Sequence, residues 1–165
     1  MIASDFHKYG NQEQETDTPQ KVTNSCRILL VEDDIDDQFL GKKRLEASEK
    51  VSEVLCFGNG EELVEFLKEQ GLHDRSVMWL KPTIIILDLN MPKVDGFEVL
   101  RRIKSDPFIR EIPVIVISGN ASEENVKKAY DLKADAFFTK PMNVYKFQTF
   151  LDKGWQWPTP EMWMR

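Results

Sequence analysis

Polar and apolar positions divide the chain into a tail and an ordered remainder. From Met1 to about Ser25 the residues are polar and aperiodic, without the spacing that a helix or strand needs to bury a face. Residues 1–25 are read as a mobile tail. Order begins at "RILLVEDD", where Ile28 to Val31 form a short, unbroken apolar run of the kind a parallel strand shows when both of its faces are covered. Similar runs recur at "EVLCF" (53–57), "TIIILD" (83–88), "PVIVIS" (113–118) and, more weakly, "DAFFTK" (135–140). Between them the spacing changes to that of helices. Phe97, Leu100 and Ile103 share one helical face, as do Val126, Ala129 and Tyr130, and Val144, Phe147 and Phe150 or Leu151. Leu63, Phe66 and Leu67 make a fourth set, and Phe39, Leu40 and Ala47 a less regular first one. Ser122 and Asn143 are placed to cap two of these helices, with Glu123 and Glu124 in a first turn that favours acids. Five strands alternating with helical crossovers predict a doubly wound α/β domain with helices on both faces of a parallel sheet.

Composition narrows the function classes. The chain has 165 residues, 41% of them hydrophobic, which suits one domain with a real core. A formal charge of −6 offers no basic patch for a phosphate backbone, so no nucleic-acid partner is expected. Cys26 and Cys56 are isolated and suit a reducing, cytoplasmic compartment. The N-terminal stretch lacks the apolar core of a signal peptide, and no apolar run approaches the roughly 18 residues of a membrane helix, so no membrane association is expected. After the last helix, "KGWQWPTPEMWMR" is too short for an output domain, and Pro158 and Pro160 require it to run extended. Its Trp155, Trp157 and Trp163 are expected either to cover apolar helix surface or to join an interface.

The chemistry lies where the apolar runs stop. In a doubly wound sheet, ligands bind beyond the carboxyl ends of the strands, near the reversal of strand order. The first run ends in Glu32 and Asp33, the third in Asp88, the fourth in Ser118 and the fifth in Lys140. Clustered carboxylates call for a cation, since two unit charges about 4 Å apart repel by about 4 kcal/mol at an effective dielectric of about 20. Hard oxygen donors without histidine or cysteine favour Mg²⁺, with Asp33 and Asp88 as side-chain ligands and Glu32 acting through water. Asp88 can also serve as a nucleophile that forms an acyl phosphate, with Lys140 neutralising phosphoryl charge and Ser118 donating a hydrogen bond.

With these residues in place, positions 27 to about 153 resemble a receiver domain of two-component response regulators, the chemotaxis-regulator-like family. The matching features are the acidic pair of "LLVEDD", the acceptor of "LDLNMPKVDG", Ser118-Gly119 in "VIVISGN" and the "KP" of "FFTKP". Each is weak alone; four in the correct order at strand ends are specific. The resemblance implies a flavodoxin-like three-layer sandwich with strand order 2-1-3-4-5 and five helices, in a receiver domain spanning 26–153 followed by an aromatic tail, 154–165. It implies that Asp88 takes a phosphoryl group from a phosphohistidine of a sensor histidine kinase or a phosphotransfer protein. It further implies that Asp33, Asp88 and the main-chain carbonyl of Asn90 bind Mg²⁺, that Lys140 and Ser118 contact the phosphoryl group, and that the Lys140–Pro141 peptide is cis. Gly119 keeps the phosphoryl position open, and Phe137 stands where the family's switch aromatic belongs, responding to movement of Ser118. The face of helix 4, strand 5 and helix 5 is the expected signalling surface and a possible homodimer interface. The connections "LHDRSVMWLKPT" and "SDPFIREIPV" resemble those of small receivers that partner phytochrome-like kinases.

Other residues have plainer readings. Asp34, Asp36 and Asp37 are read as first-turn acids answering a helix dipole, and Asp95 before Gly96 as a turn residue. His7 and His73 fall in a tail and a loop, and Phe97, Val99 and Leu100 in the core. Two rival functions remain: a haloacid-dehalogenase-like aspartyl phosphatase and a pseudo-receiver that docks partners without phosphorylation. The first needs a D-x-D motif whose second acid transfers a proton, and that position is Asn90. The complete set of strand-end residues argues against the second.

Overall fold

A computed structural model describes residues 25–73, 82–92 and 94–153. The elements are β1 (Cys26–Val31), α1 (Ile35–Glu46), β2 (Val51–Phe57), α2 (Gly60–His73), β3 (Thr83–Asp88), α3 (Gly96–Ser105), β4 (Val114–Ser118), α4 (Glu123–Asp131), β5 (Ala136–Thr139) and α5 (Val144–Asp152). The strands form one sheet in the order β2-β1-β3-β4-β5, and every neighbouring pair is parallel. Residues 1–24, 74–81, 93 and 154–165, including the tryptophans of the C-terminal stretch, lie outside the described residues.

The unbroken apolar runs are explained by two cores, one on each side of the sheet. Leu29, Val31, Ile85, Leu87, Val114 and Val116 face α2, α3 and α4 through Leu63, Leu67, Leu100, Ile103 and Ala129. The alternate residues Ile28, Leu30, Ile84, Ile86, Ile115 and Ile117 face α1 and α5 through Leu45 and Phe147. Strand side chains alternate between faces, so a run is apolar throughout only when both faces are covered.

Local chemistry starts the helices. Asp34 caps α1 by accepting from the Asp36 and Asp37 amides, Asp95 caps α3 through Phe97, Ser122 caps α4 through Asn125, and Asn143 caps α5 through Lys146. Asp34 and Asp95 are thus N-caps rather than a first-turn acid and a plain turn residue.

Two helices bury faces other than those expected. In α1, Phe39 and Leu40 are 57% and 47% exposed, and Ala47 is exposed as well. The inward residues are Gln38, Gly41, Leu45 and Ser48, at the 3-4-3 spacing of one helical face. A Cβ on Gly41 would sit 3.4 Å from Leu30, while the Gln38 amide donates to the carbonyls of Glu32 and Phe57. The helix therefore meets the sheet through Leu45, Gly41 at ordinary contact distance and the tethering Gln38 amide, leaving Ile35, Phe39 and Leu40 outside. In α4, Ala129 is buried but Tyr130 is 48% exposed.

Candidate functional site

Strand order reverses at β1, whose neighbours are β2 on one side and β3 on the other. The crevice at the carboxyl ends of β1 and β3 is therefore where a ligand site belongs. Val31 pairs with Leu87, so the next residue on each strand, Glu32 and Asp88, emerges side by side. Both are buried, at 2% and 1% exposure, whereas Asp33 is exposed. Carboxylate oxygens of Glu32, Asp33 and Asp88 lie within 4.8 Å of one another.

Lys140, one residue past β5, crosses to this group. Its amide donates to the Ser118 carbonyl, tying the ends of β5 and β4, and the Lys140–Pro141 peptide is cis. The ammonium donates to Glu32 Oε2 at 2.6 Å, Asp88 Oδ2 at 2.9 Å and Asp37 Oδ2 at 3.2 Å. Asp37 does more than answer a helix dipole.

The electrostatics follow from burial. Burial pushes the Glu32 carboxyl above its ordinary range; the Lys140 bond opposes this and the charge of Asp88 adds to it. For Lys140, burial favours the neutral amine, but the hydrogen bonds and charges of Glu32 and Asp88 outweigh it and hold the ammonium above its ordinary range. The cation demanded by the clustered acids is thus partly supplied by the protein itself.

The loop after β3 is held by main chain. The Asn90 amide donates to Asp88 Oδ1 at 2.9 Å and the Leu89 amide to the Ile117 carbonyl at 3.1 Å. Gly96, at the start of α3, passes so near that a Cβ would lie 2.7 Å from the Asp88 carbonyl oxygen and from the Leu89 Cα. That requirement was not read from the sequence.

Ser118 is fully buried at the end of β4, beside β3. Its hydroxyl exchanges hydrogen bonds with the main chain of Asn120, donating to the carbonyl and accepting from the amide, each at 3.1 Å. Phe137 pairs with Val116 and is half-buried against the core on the α2–α4 side. A Cβ on Gly119 would approach the Asn90 side-chain amide at 3.6 Å, across the mouth of the site.

The oxygen donors of Glu32, Asp33 and Asp88, a group without nitrogen or sulfur, fit a hard divalent cation. Fold and site together define a class: a doubly wound α/β protein with an acid cluster and a lysine around a buried aspartate at the topological switch point. The chain belongs to the response regulator receiver domain family, whose sequence model matches residues 28–152, and is a receiver domain of two-component response regulators. Response regulator Rcp1 of Synechocystis sp. is 38% identical over 117 residues, covering 71% of this chain and 78% of Rcp1. The crystal structure of the Mn²⁺-bound form of Rcp1 superimposes with a TM-score of 0.58 at 32% identity, covering 81% of this chain and 96% of that one. That of the phosphorylated cyanobacterial phytochrome response regulator RcpA superimposes with a TM-score of 0.61 at 34% identity, covering 82% and 95%.

Proposed function

We propose that Asp88 is the phosphoryl acceptor of this receiver. The observation that carries the reading is the Asp88 carboxylate, 1% exposed at the end of β3, with the Lys140 ammonium 2.9 Å from Oδ2. An Asp88 oxygen attacks phosphorus, the P–N bond of the donor phosphohistidine breaks, and the imidazole leaves with the electron pair, giving an acyl phosphate. Receiver domains take phosphoryl groups from histidine kinases or phosphotransfer proteins, and such a protein is the proposed donor. Lys140 turns from Asp88 to a phosphoryl oxygen as charge moves outward, and Ser118 exchanges its Asn120 partner for another. Phe137 follows Ser118 inward.

Asp33 and Asp88, with the Asn90 carbonyl and Glu32 in support, are the residues proposed to hold Mg²⁺. The ion supplies positive charge for the transferring phosphoryl oxygens. The protein assists its own phosphorylation and dephosphorylation and turns over no external substrate. Its receiver unit is proposed to span 26–153, with tails at 1–25 and 154–165, and its output to be a protein contact. A homodimer through α4, β5 and α5 is supported by exposed Tyr130 and Tyr145. Free Cys26 and Cys56 support a cytoplasmic setting; no helix among the described residues is long and apolar enough to cross a membrane.

Incubation with acetyl phosphate and Mg²⁺ tests the acceptor. The expected product carries one phosphoryl group on Asp88, and Asp88→Asn abolishes labelling with the fold intact. Labelling at another residue in the variant would overturn the assignment. Rapid phosphate release would favour the phosphatase, and no reaction the pseudo-receiver.

A further inference from the structure

We propose that Asp37 is a positioning residue for phosphoryl transfer: it anchors the Lys140 ammonium from outside the acid cluster while Asp88 reacts. The inference rests on Asp88 being the acceptor. An ammonium has three protons, and here each has a carboxylate partner, on Glu32, Asp88 and Asp37. The three partners have different fates. Glu32 and Asp88 belong with Asp33 to the group able to hold a cation, whereas Asp37 does not.

Asp88 Oδ2 also points its lone pair at the ammonium, while Oδ1 accepts from the Asn90 amide. For Oδ2 to attack phosphorus, the ammonium must release it and stay close enough to meet the phosphoryl oxygens. Asp37 is the one partner that neither the cation group nor the acyl phosphate claims. It is half-exposed on the first turn of α1, at the outer side of the site, so it draws the ammonium away from the nucleophile without letting it swing into solvent. Glu32, shared with the cation group, is buried at the floor. Asp37 thus keeps Lys140 on a short path from Asp88 to the incoming phosphoryl group.

Asp36 provides a matched control, because it is an acid in the same helical turn and is not among the ion-pair partners of Lys140, which are Glu32, Asp37 and Asp88 among the described residues. Both sit behind the Asp34 cap, so loss of either carboxylate changes net charge and helix dipole alike.

The test measures the phosphorylation rate of the full chain against acetyl phosphate concentration at saturating Mg²⁺. The transfer places the phosphoryl group on Asp88 and releases acetate. Asp37→Ala is expected to lower the saturating rate by about three- to tenfold, the effect of one charge-assisted hydrogen bond weakened by solvent. The half-saturating donor concentration should not rise, because a negative charge has left the mouth of the site. Asp37→Glu should recover most of the rate, and Asp36→Ala should stay near wild type. In metal-free protein, the ¹⁵N ammonium resonance of Lys140, assigned by its loss in Lys140→Arg, should move in Asp37→Ala and stay in place in Asp36→Ala. An Asp37→Ala variant as fast as wild type or faster, an equal loss in Asp36→Ala, or an unmoved resonance would overturn the proposal while leaving Asp88 as the acceptor. A wild-type chain that never labels on Asp88 would overturn both.

Discussion

At the scale of single residues, burial separates carboxylates that look equivalent along the chain. Glu32 and Asp33 are adjacent, yet Glu32 is buried and bonded to Lys140 and the Asp34 amide, while Asp33 faces solvent. Asp33 is therefore the carboxylate with fewer competing partners. Titration calorimetry should show Glu32→Ala weakening Mg²⁺ binding by about tenfold, as for a residue that orients others, and Asp33→Ala weakening it further. Equal losses would mean that the two roles are misassigned. Cys26 gives a second test, away from the site. Burial pushes its thiol up to about 11, from an ordinary value of 9.0, with its bond to the Lys50 carbonyl at 3.4 Å. The folded state thus keeps a proton that the unfolded chain gives up first. The associated stability is full below about pH 9 and is lost as pH rises through about 11, on the order of 2 kcal/mol. Thermal melts of wild type and Cys26→Ala between pH 8 and 11 should converge by about this amount; parallel curves would contradict it.

Among the elements, α1 departs most from its hydrophobic pattern. Its bulkiest apolar residues, Ile35 and Phe39, are 79% and 57% exposed, while Leu45 is fully buried. Phe39→Ser should change stability by no more than about 0.5 kcal/mol, as at other exposed positions. Leu45→Ala should cost about 3 kcal/mol through the cavity it opens. Urea melts of the two variants decide the matter, and similar losses would mean that the helix packs on its other face. The physical cause is that the inward face is set by the Gln38 amide, tied to the carbonyls of Glu32 and Phe57, and by Gly41 over Leu30, and neither residue is counted in an apolar pattern. In α3, by contrast, the apolar spacing of Phe97, Leu100 and Ile103 correctly marks the buried face.

For the whole molecule, the sheet separates two cores that share no helix. Ile103 lies in one and Ile28 in the other. Valine at either site should cost about 1 kcal/mol, and the double variant should equal the sum within about 0.5 kcal/mol, because the two residues lie in separate cores. A larger discrepancy in denaturant melts would show strain passing through the sheet. The separation also places the site. Its acids come from β1 and β3 and its lysine from the end of β5, so the edge of the sheet assembles what no single helix or core holds.

The sequence by itself determined the alternation of strands and helices, the fully buried strands, the caps at Ser122 and Asn143, and the residues at the strand ends. These features rest on local periodicity and on residue types that match one backbone state or one solvent environment. The family resemblance supplied the strand order before any contact was visible. Only the tertiary structure decided which acids share Lys140, which face of α1 turns inward, and why α3 must begin with Gly96. Each of these depends on distances that exist only once the elements have packed, whether the partners are near or far along the chain. Asp37 and Lys140 are separated by 103 positions, and a carboxylate that reads as a helix-dipole acid becomes an ion-pair partner only when β5 delivers its lysine. Similarly, Gly96 needs no unusual backbone angle. Its requirement comes from the passage of β3's last carbonyl within 2.7 Å of the position a Cβ would take.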